Sequence, residues 1–170
     1  MALVPVFALQ EGPAQRQSAK GVDIMKPRGV NRVTIAVKDL EKGMALYSKL
    51  LGATFHSASP DAESYGVRVM MSWDAGIELV SPLPGRDSFV GKFIEKHGEG
   101  VVGVVFVVDD VDEARERAEK LGIRIWSAID YSQEEIDKYL QGRFKKYKEY
   151  MLNPADTFGV GPVIGQIEPK

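Results

Sequence analysis

A strand–helix unit occurs twice in the chain, and this repeat constrains the fold more than any other feature. In the first copy, apolar and polar residues alternate, which predicts a half-buried strand, and a helix follows that Asp39 caps and Gly52 ends. In the second copy Asp110 and Gly122 take these places, and Asp110 lies 71 positions after Asp39. The matched cap, terminal glycine and spacing favour an internal duplication.

Each unit is followed by further predicted strands, which gives two βαβββ modules. The additional strands are predicted over 53–56, 64–73 and 76–81 in the first module, and over 123–126, 144–152 and 161–168 in the second. The segment 133–140 reads as an inserted, lid-like helix, because Ser132 and Glu135 have the spacing of a capping box; Asp110 and Glu113 have it too. We therefore predict an α+β fold in which tandem βαβββ modules form a curved sheet around a cavity.

The predicted domain organisation is simple. Residues 1–29 are expected to form an N-terminal arm or linker, and residues 30–168 a domain made of module 30–82, a connecting helix over 87–98 and module 100–168. The modules can pair within one chain or across a dimer, and the sequence leaves both arrangements open.

Composition excludes several classes of protein. The chain of 170 residues has no cysteine, which excludes disulfides, thiolate nucleophiles and cysteine metal sites. Its net charge of −2 gives no reason to expect nucleic acid or an anionic membrane as partner, and no apolar run approaches the roughly 20 residues that span a bilayer. We expect a cytoplasmic homodimer whose partner is a small organic molecule; a cleaved signal at the mildly apolar start stays an alternative.

Three stretches resemble the vicinal oxygen chelate superfamily, which contains glyoxalase I, extradiol dioxygenases, bleomycin resistance proteins and methylmalonyl-CoA epimerase. They are the strand and helix over 35–52, the segment 76–82 (Gly-Ile-Glu-Leu-Val-Ser-Pro), and residues 93–111 together with 153–159. The layout is most similar to the epimerase. The resemblance implies a glyoxalase-like fold over roughly residues 30–168. It does not identify the reaction, because one fold can host many chemistries.

The resemblance also implies a divalent metal held by four side chains on the cavity faces of four strands. The first ligand, normally His, falls on Arg32; the second falls on Glu78; the third, a His in the epimerase pattern, falls on Gly103; the last, normally Glu, falls on Gly165 or Gln166. A protonated arginine cannot ligate a metal and glycine has no side chain. We therefore expect no cofactor, with Glu78 the one family-position candidate for a metal ligand.

In place of a metal, Arg32 and Glu78 are expected to form an ion pair in the cavity. The guanidinium could hold an anionic group or polarise a carbonyl while Glu78 moves a proton, or the pair could be purely structural. Strand alternation adds candidate substrate-binding residues, which are Arg68, Met70, Tyr131, Tyr147, Glu149 and Gly103.

Three functions compete at this stage. The favoured one is a metal-independent lyase or isomerase that carries out acid–base chemistry on a carbonyl or enolisable compound with Glu78 and Arg32. The second is a metal-free protein that sequesters a ligand, similar to the bleomycin resistance members. The third is a metal-dependent epimerase or dioxygenase with atypical ligands.

Overall fold

The computed structural model describes residues 28–58, 63 and 65–170, so the predicted N-terminal arm lies outside the described residues. The strands are β1 Gly29–Ala36, β2 His56–Ser57, β3 Val67–Ser72, β4 Ile77–Pro82, β5 Gly100–Val107, β6 Ile125–Tyr131, β7 Phe144–Leu152 and β8 Gly161–Pro169. The helices are α1 Leu40–Leu51, α2 Phe89–His97, α3 Val111–Lys120 and α4 Gln133–Tyr139, and a short 3-10 turn covers Pro154–Asp156. No helix of the described part is long and apolar enough to cross a membrane.

All eight described strands join one curled, half-barrel sheet in the order β2-β3-β4-β1-β5-β8-β7-β6. The predicted α+β fold with a curved sheet is confirmed. Within each module the first strand pairs in parallel with the last, β1 with β4 and β5 with β8, and β1 pairs antiparallel with β5 where the modules meet. The two modules therefore pair within one chain through their first strands.

The N-caps that define the repeat are present in both copies, whereas the C-cap of α3 is Leu121, with Gly122 at φ 77° directly after it. Asp39 accepts a hydrogen bond from the backbone N–H of Lys42, and Gly52 ends α1 in the left-handed region at φ 72°. Asp110 accepts from the N–H groups of Asp112 and Glu113. The predicted capping box at Asp110 is wrong in its second half, because the Glu113 carboxylate binds Arg117 one turn later instead.

Several strand limits differ from the prediction. Strand β6 continues to Tyr131, five residues beyond the predicted end, because it stays paired with β7 throughout. Strand β3 begins at Val67 rather than at residue 64, since Gly66 turns the chain with φ 70°. Pairing with neighbouring strands therefore decides these limits more than local propensity does.

The inserted helix α4 is anchored in the core rather than forming a lid. Its capping box between Ser132 and Glu135 is present, as predicted. Ile136 and Leu140 are 1% and 2% exposed and belong to a core cluster with Phe144 and Tyr147. Because these side chains are buried among core residues of the half-barrel, α4 is part of the core.

Candidate active site

Arg32 is the centre of the charged part of the site. It lies on β1, where Arg32, Thr34 and Ala36 alternate as buried residues on the concave face of the sheet. Its Nε donates a hydrogen bond of 2.5 Å to Glu78 on the neighbouring strand β4, so the predicted contact between these two residues is present. The Arg32 and Glu78 side chains are 5% and 14% exposed.

A second carboxylate completes the cluster from the far side of the half-barrel. Glu149 on β7 accepts hydrogen bonds from Arg32 Nη1 at 2.8 Å and Nη2 at 3.1 Å, which is the bidentate geometry that a guanidinium favours. The cross-strand partner of Glu149 is Gly165, and a Cβ at that position would lie 3.2 Å from Glu149 Cγ. The missing side chain at Gly165 therefore leaves the space through which Glu149 reaches Arg32.

The electrostatics keep Arg32 charged. Burial opposes its charge, but the attraction of the carboxylates, of Glu149 first and then of Glu78, outweighs it, so the pKa of Arg32 is raised well above its ordinary value. Burial has the opposite effect on the Tyr147 hydroxyl, because it disfavours the phenolate. It raises the pKa of Tyr147 well above its ordinary value, although the Arg32 charge opposes this shift. At neutral pH the cluster therefore presents a guanidinium and a neutral phenol to the cavity.

The cluster faces a cavity of about 200 Å³ inside the curled sheet. Apart from Arg32, Glu78 and Glu149 the walls are mainly apolar. The lining side chains come from both modules and include Val67, Val69, Met71, Val80, Val102, Val105, Ile129, Met151 and Val163. An apolar pocket with a few converging polar groups is the usual form of a small-molecule site.

Most of the sequence-predicted site residues line this cavity. Gly103, Tyr131, Tyr147 and Glu149 all lie on its walls, and the Tyr131 ring stacks on the Tyr147 ring with centroids 5.7 Å apart. A Cβ at Gly103 would lie 2.9 Å from the carbonyl oxygen of Gly161, so β5 and β8 leave no room there for a side chain.

Two predicted site residues lie elsewhere. Arg68 is directed away from the cavity and pairs with Glu41 of α1 on the outer side of the sheet. Met70 packs against the core cluster under α1, and its neighbour Met71 lines the cavity instead. Both corrections follow from the parity of β3, because alternate residues of a strand point to opposite faces.

The residues present do not fit the divalent metal that the superfamily often uses. Within the described residues no three His, Asp or Glu side chains are placed to hold a metal ion. Both carboxylates of the site already accept hydrogen bonds from Arg32, whose positive charge stands where a cation would be. Gly165 lies opposite Glu149 in the register of β7 and β8, so it takes the expected position of the last ligand in preference to Gln166. This position and that of Gly103 are therefore both strand glycines, which have no side chain to bind a metal.

Sequence reasoning did not identify three aromatic residues of the site. Trp73 follows β3 and packs on Phe144 and Tyr147, and its ring centroid lies 6.0 Å from the Arg32 guanidinium carbon. Phe89 and Trp126 lie at the edge of the cavity. Nothing in their local sequence separates them from ordinary core or loop aromatics.

Comparisons with known proteins agree with this fold. The family model of the Glyoxalase/Bleomycin resistance protein/Dioxygenase superfamily matches residues 31–139. The chain is 36% identical to ethylmalonyl-CoA/methylmalonyl-CoA epimerase of Cereibacter sphaeroides over 99 residues, which are 56% of this chain and 72% of that protein. It is 38% identical to the mitochondrial methylmalonyl-CoA epimerase of Homo sapiens over 134 residues, 77% of this chain and 69% of that protein.

A solved structure of an epimerase has a similar fold. A Streptomyces coelicolor methylmalonyl-CoA epimerase in complex with 2-nitronate-propionyl-CoA superposes with a TM-score of 0.62 at 25% identity. The superposition covers 83% of this chain and 98% of that one.

Proposed function

Because the chain belongs to the Glyoxalase/Bleomycin resistance protein/Dioxygenase superfamily, we propose that it is an isomerase or lyase that uses a buried arginine–carboxylate cluster instead of a bound metal. The proposed substrate is an acyl thioester of coenzyme A with an acidic C–H next to its carbonyl. The epimerase names of the relatives and the coenzyme A ester bound by the structural neighbour support this substrate class.

The observation that carries the proposal is the unequal use of the two carboxylates. Both oxygens of Glu149 accept hydrogen bonds from Arg32, and the Glu149 side chain is 1% exposed. Glu78 binds Arg32 through Oε2, and among the described residues its Oε1 has no hydrogen-bond donor. Glu78 therefore has an oxygen available for a proton, whereas Glu149 fixes the guanidinium.

The chemistry follows from these positions. Glu78 Oε1 takes the proton next to the carbonyl, the C–H electron pair becomes part of an enolate, and the negative charge moves to the carbonyl oxygen. The nearby Arg32 charge stabilises that oxygen in a site with little water. The proton on Glu78 then returns to a different carbon of a conjugated enolate, which is a double-bond isomerisation, or stays while a leaving group departs, which is an elimination.

Solvent exchange tests this assignment without knowledge of the final product. In D₂O, with methylmalonyl-CoA as probe, the protein should speed exchange of the C–H next to the thioester, followed by NMR. Glu78→Gln should slow this exchange by about 100-fold or more, because the amide cannot take the proton. Glu116→Gln, on the exposed face of α3, is the matched control and should not change the rate.

Undiminished exchange in Glu78→Gln would refute the role of Glu78. No exchange of any acyl-CoA ester by the wild-type protein would refute the enzyme proposal itself.

A ligand-binding protein is the second candidate, and one observation favours it. Arg32 is bound on both sides by carboxylates, so the cluster is nearly complete as a structural unit without a substrate. This candidate predicts saturable binding of an organic ligand in calorimetry with no chemical change and no solvent exchange.

A further inference from the structure

Phe89 and Trp126 form an exposed aromatic pair at the edge of the cavity, and the proton chemistry described above does not use them. Their rings lie 5.6 Å apart with an interplanar angle of 60°. They are 44% and 48% exposed, although both line the same cavity as Arg32 and Glu78. Large apolar side chains that remain this open beside a pocket are typical of a binding surface.

The chain builds this pair from both halves of the molecule. Phe89 is the first residue of α2, which Ser88 caps, and α2 connects the two modules. Trp126 lies at an irregularity of β6, where the pairing with β7 shifts between Ile125 and Ser127. Such a bulge redirects a side chain relative to the regular alternation, which places the Trp126 ring at the cavity edge.

The size of the cavity indicates what touches these rings. A volume of about 200 Å³ is below the roughly 300–1,000 Å³ of pockets that enclose a drug-sized ligand. The interior therefore has room for a small reacting head. The rest of a larger substrate has to pass the cavity edge.

We propose that Phe89 and Trp126 form a subsite for the pantetheine segment of an acyl thioester whose carbonyl head lies at Arg32 and Glu78. The inference rests on the proposed function, because it takes the thioester substrate from it. Since both rings are 44% and 48% exposed at the edge of the small cavity that holds the head, they contact the pantetheine segment beyond the cysteamine unit attached to the thioester sulfur. An apolar chain with flat amide groups packs well on two tilted aromatic rings.

Kinetics with substrates of graded length test the subsite. The probes are methylmalonyl thioesters of coenzyme A, pantetheine and N-acetylcysteamine, measured by solvent exchange. Trp126→Ala and Phe89→Ala should each raise KM about tenfold for the first two esters and leave kcat unchanged, with little effect on the N-acetylcysteamine ester. Leu50→Ala is the control, because Leu50 is 67% exposed on α1 and does not line the cavity.

Equal shifts for all three esters, or a shift for the coenzyme A ester alone, would overturn the assignment to the pantetheine segment. Unchanged KM values in both variants would overturn the subsite as a whole.

A binding measurement separates this inference from the proposed reaction. The chain has two tryptophans, so Trp73→Phe leaves Trp126 as the fluorescent reporter. Free pantetheine should quench or shift this emission with saturation, and Phe89→Ala in the same background should weaken the response about tenfold. A response in this variant, with no catalytic exchange by the wild-type protein, would support the subsite and refute the enzyme; no response to pantetheine would refute the subsite, whatever the catalytic result.

Discussion

Arg32→Met is expected to destabilise the fold more than any single removal of a carboxylate from the same cluster. Arg32 is the shared partner of Glu78 and Glu149, whose side chains are 14% and 1% exposed. Without the guanidinium, the negative charges of Glu78 and Glu149 stay in a mainly apolar interior without the counter-ion that they share. Breaking a buried ion pair from one side costs about 3–5 kcal/mol of unfolding free energy.

Glu149→Gln should lower the unfolding free energy much less than Arg32→Met does. The guanidinium keeps Glu78 as its counter-ion, and the amide oxygen still accepts one hydrogen bond. The expected loss is about 1.5–3 kcal/mol, the range for hydrogen bonds that involve a charged group. A larger loss of unfolding free energy in Arg32→Met than in Glu149→Gln would therefore indicate that Arg32 neutralises both carboxylates.

Urea unfolding at pH 7 measures the loss of unfolding free energy in both variants, and thermal unfolding gives a second readout. For a domain of this size each kcal/mol moves the melting temperature by about 2–4 °C, so Arg32→Met should melt roughly 6–20 °C below the wild type. Lys92→Met, which breaks an exposed pair with Asp87, is the control and should change little. An Arg32→Met variant no less stable than Glu149→Gln would refute the view that Arg32 neutralises both carboxylates.

Three further predictions concern packing, pH and metal. Gly103→Ala should lower the urea midpoint, because its Cβ would lie 2.9 Å from the Gly161 carbonyl oxygen, whereas Gly100→Ala on the same strand meets open space and should be tolerated. Arg124 hydrogen-bonds Asp156 and lowers the pKa of that carboxyl from 3.8 to about 2, so the pair adds stability above pH 3.8 that is lost as the pH falls through 2. Asp156→Asn should therefore flatten the pH dependence of the urea midpoint in that window; an unchanged slope would contradict this. Dialysis against EDTA should leave solvent exchange unchanged, and a loss that Mg²⁺, Mn²⁺ or Co²⁺ restores would contradict metal independence.

Local signals made the fold predictable. Asp39 fixes the start of α1 through its side chain and Gly52 the end through its backbone, and the second copy repeats the aspartate N-cap. Strand β7 has the bounds 144–152 that its pattern predicts, because buried Tyr147 and Glu149 alternate with the more open Lys146 and Lys148 in its middle. Features that depend on a few neighbouring residues can be predicted from the sequence for this reason.

The site was harder to predict, because its contacts depend on the curl of the sheet. Arg32 and Glu149 are 117 positions apart and meet across β5 and β8, so no local pattern links them. Alternation placed Glu149 in the cavity, but only the side-chain-free Gly165 shows how it reaches Arg32. The choice between Met70 and Met71 failed for a related reason, since a strand shifted by one residue exchanges its two faces.

The shared guanidinium also bears on the stereochemistry of the proposed reaction. Inversion at carbon requires that a proton leaves one face and another arrives at the opposite face. Glu78 and Glu149 are bound to the same guanidinium, and Glu149 has both oxygens engaged, which favours proton removal and return on one side. This chain is therefore expected to differ from its epimerase relatives in the stereochemical outcome.

Chiral analysis of methylmalonyl-CoA recovered after exchange in D₂O decides this point. Deuterium incorporation with retained configuration would match a single base at Glu78, because the enolate receives deuterium on the face from which the proton left. Incorporation that proceeds at the same rate as loss of configuration would show that a second acid reaches the opposite face. Tyr131 and Tyr147, which line the cavity, would then be the residues to replace with phenylalanine.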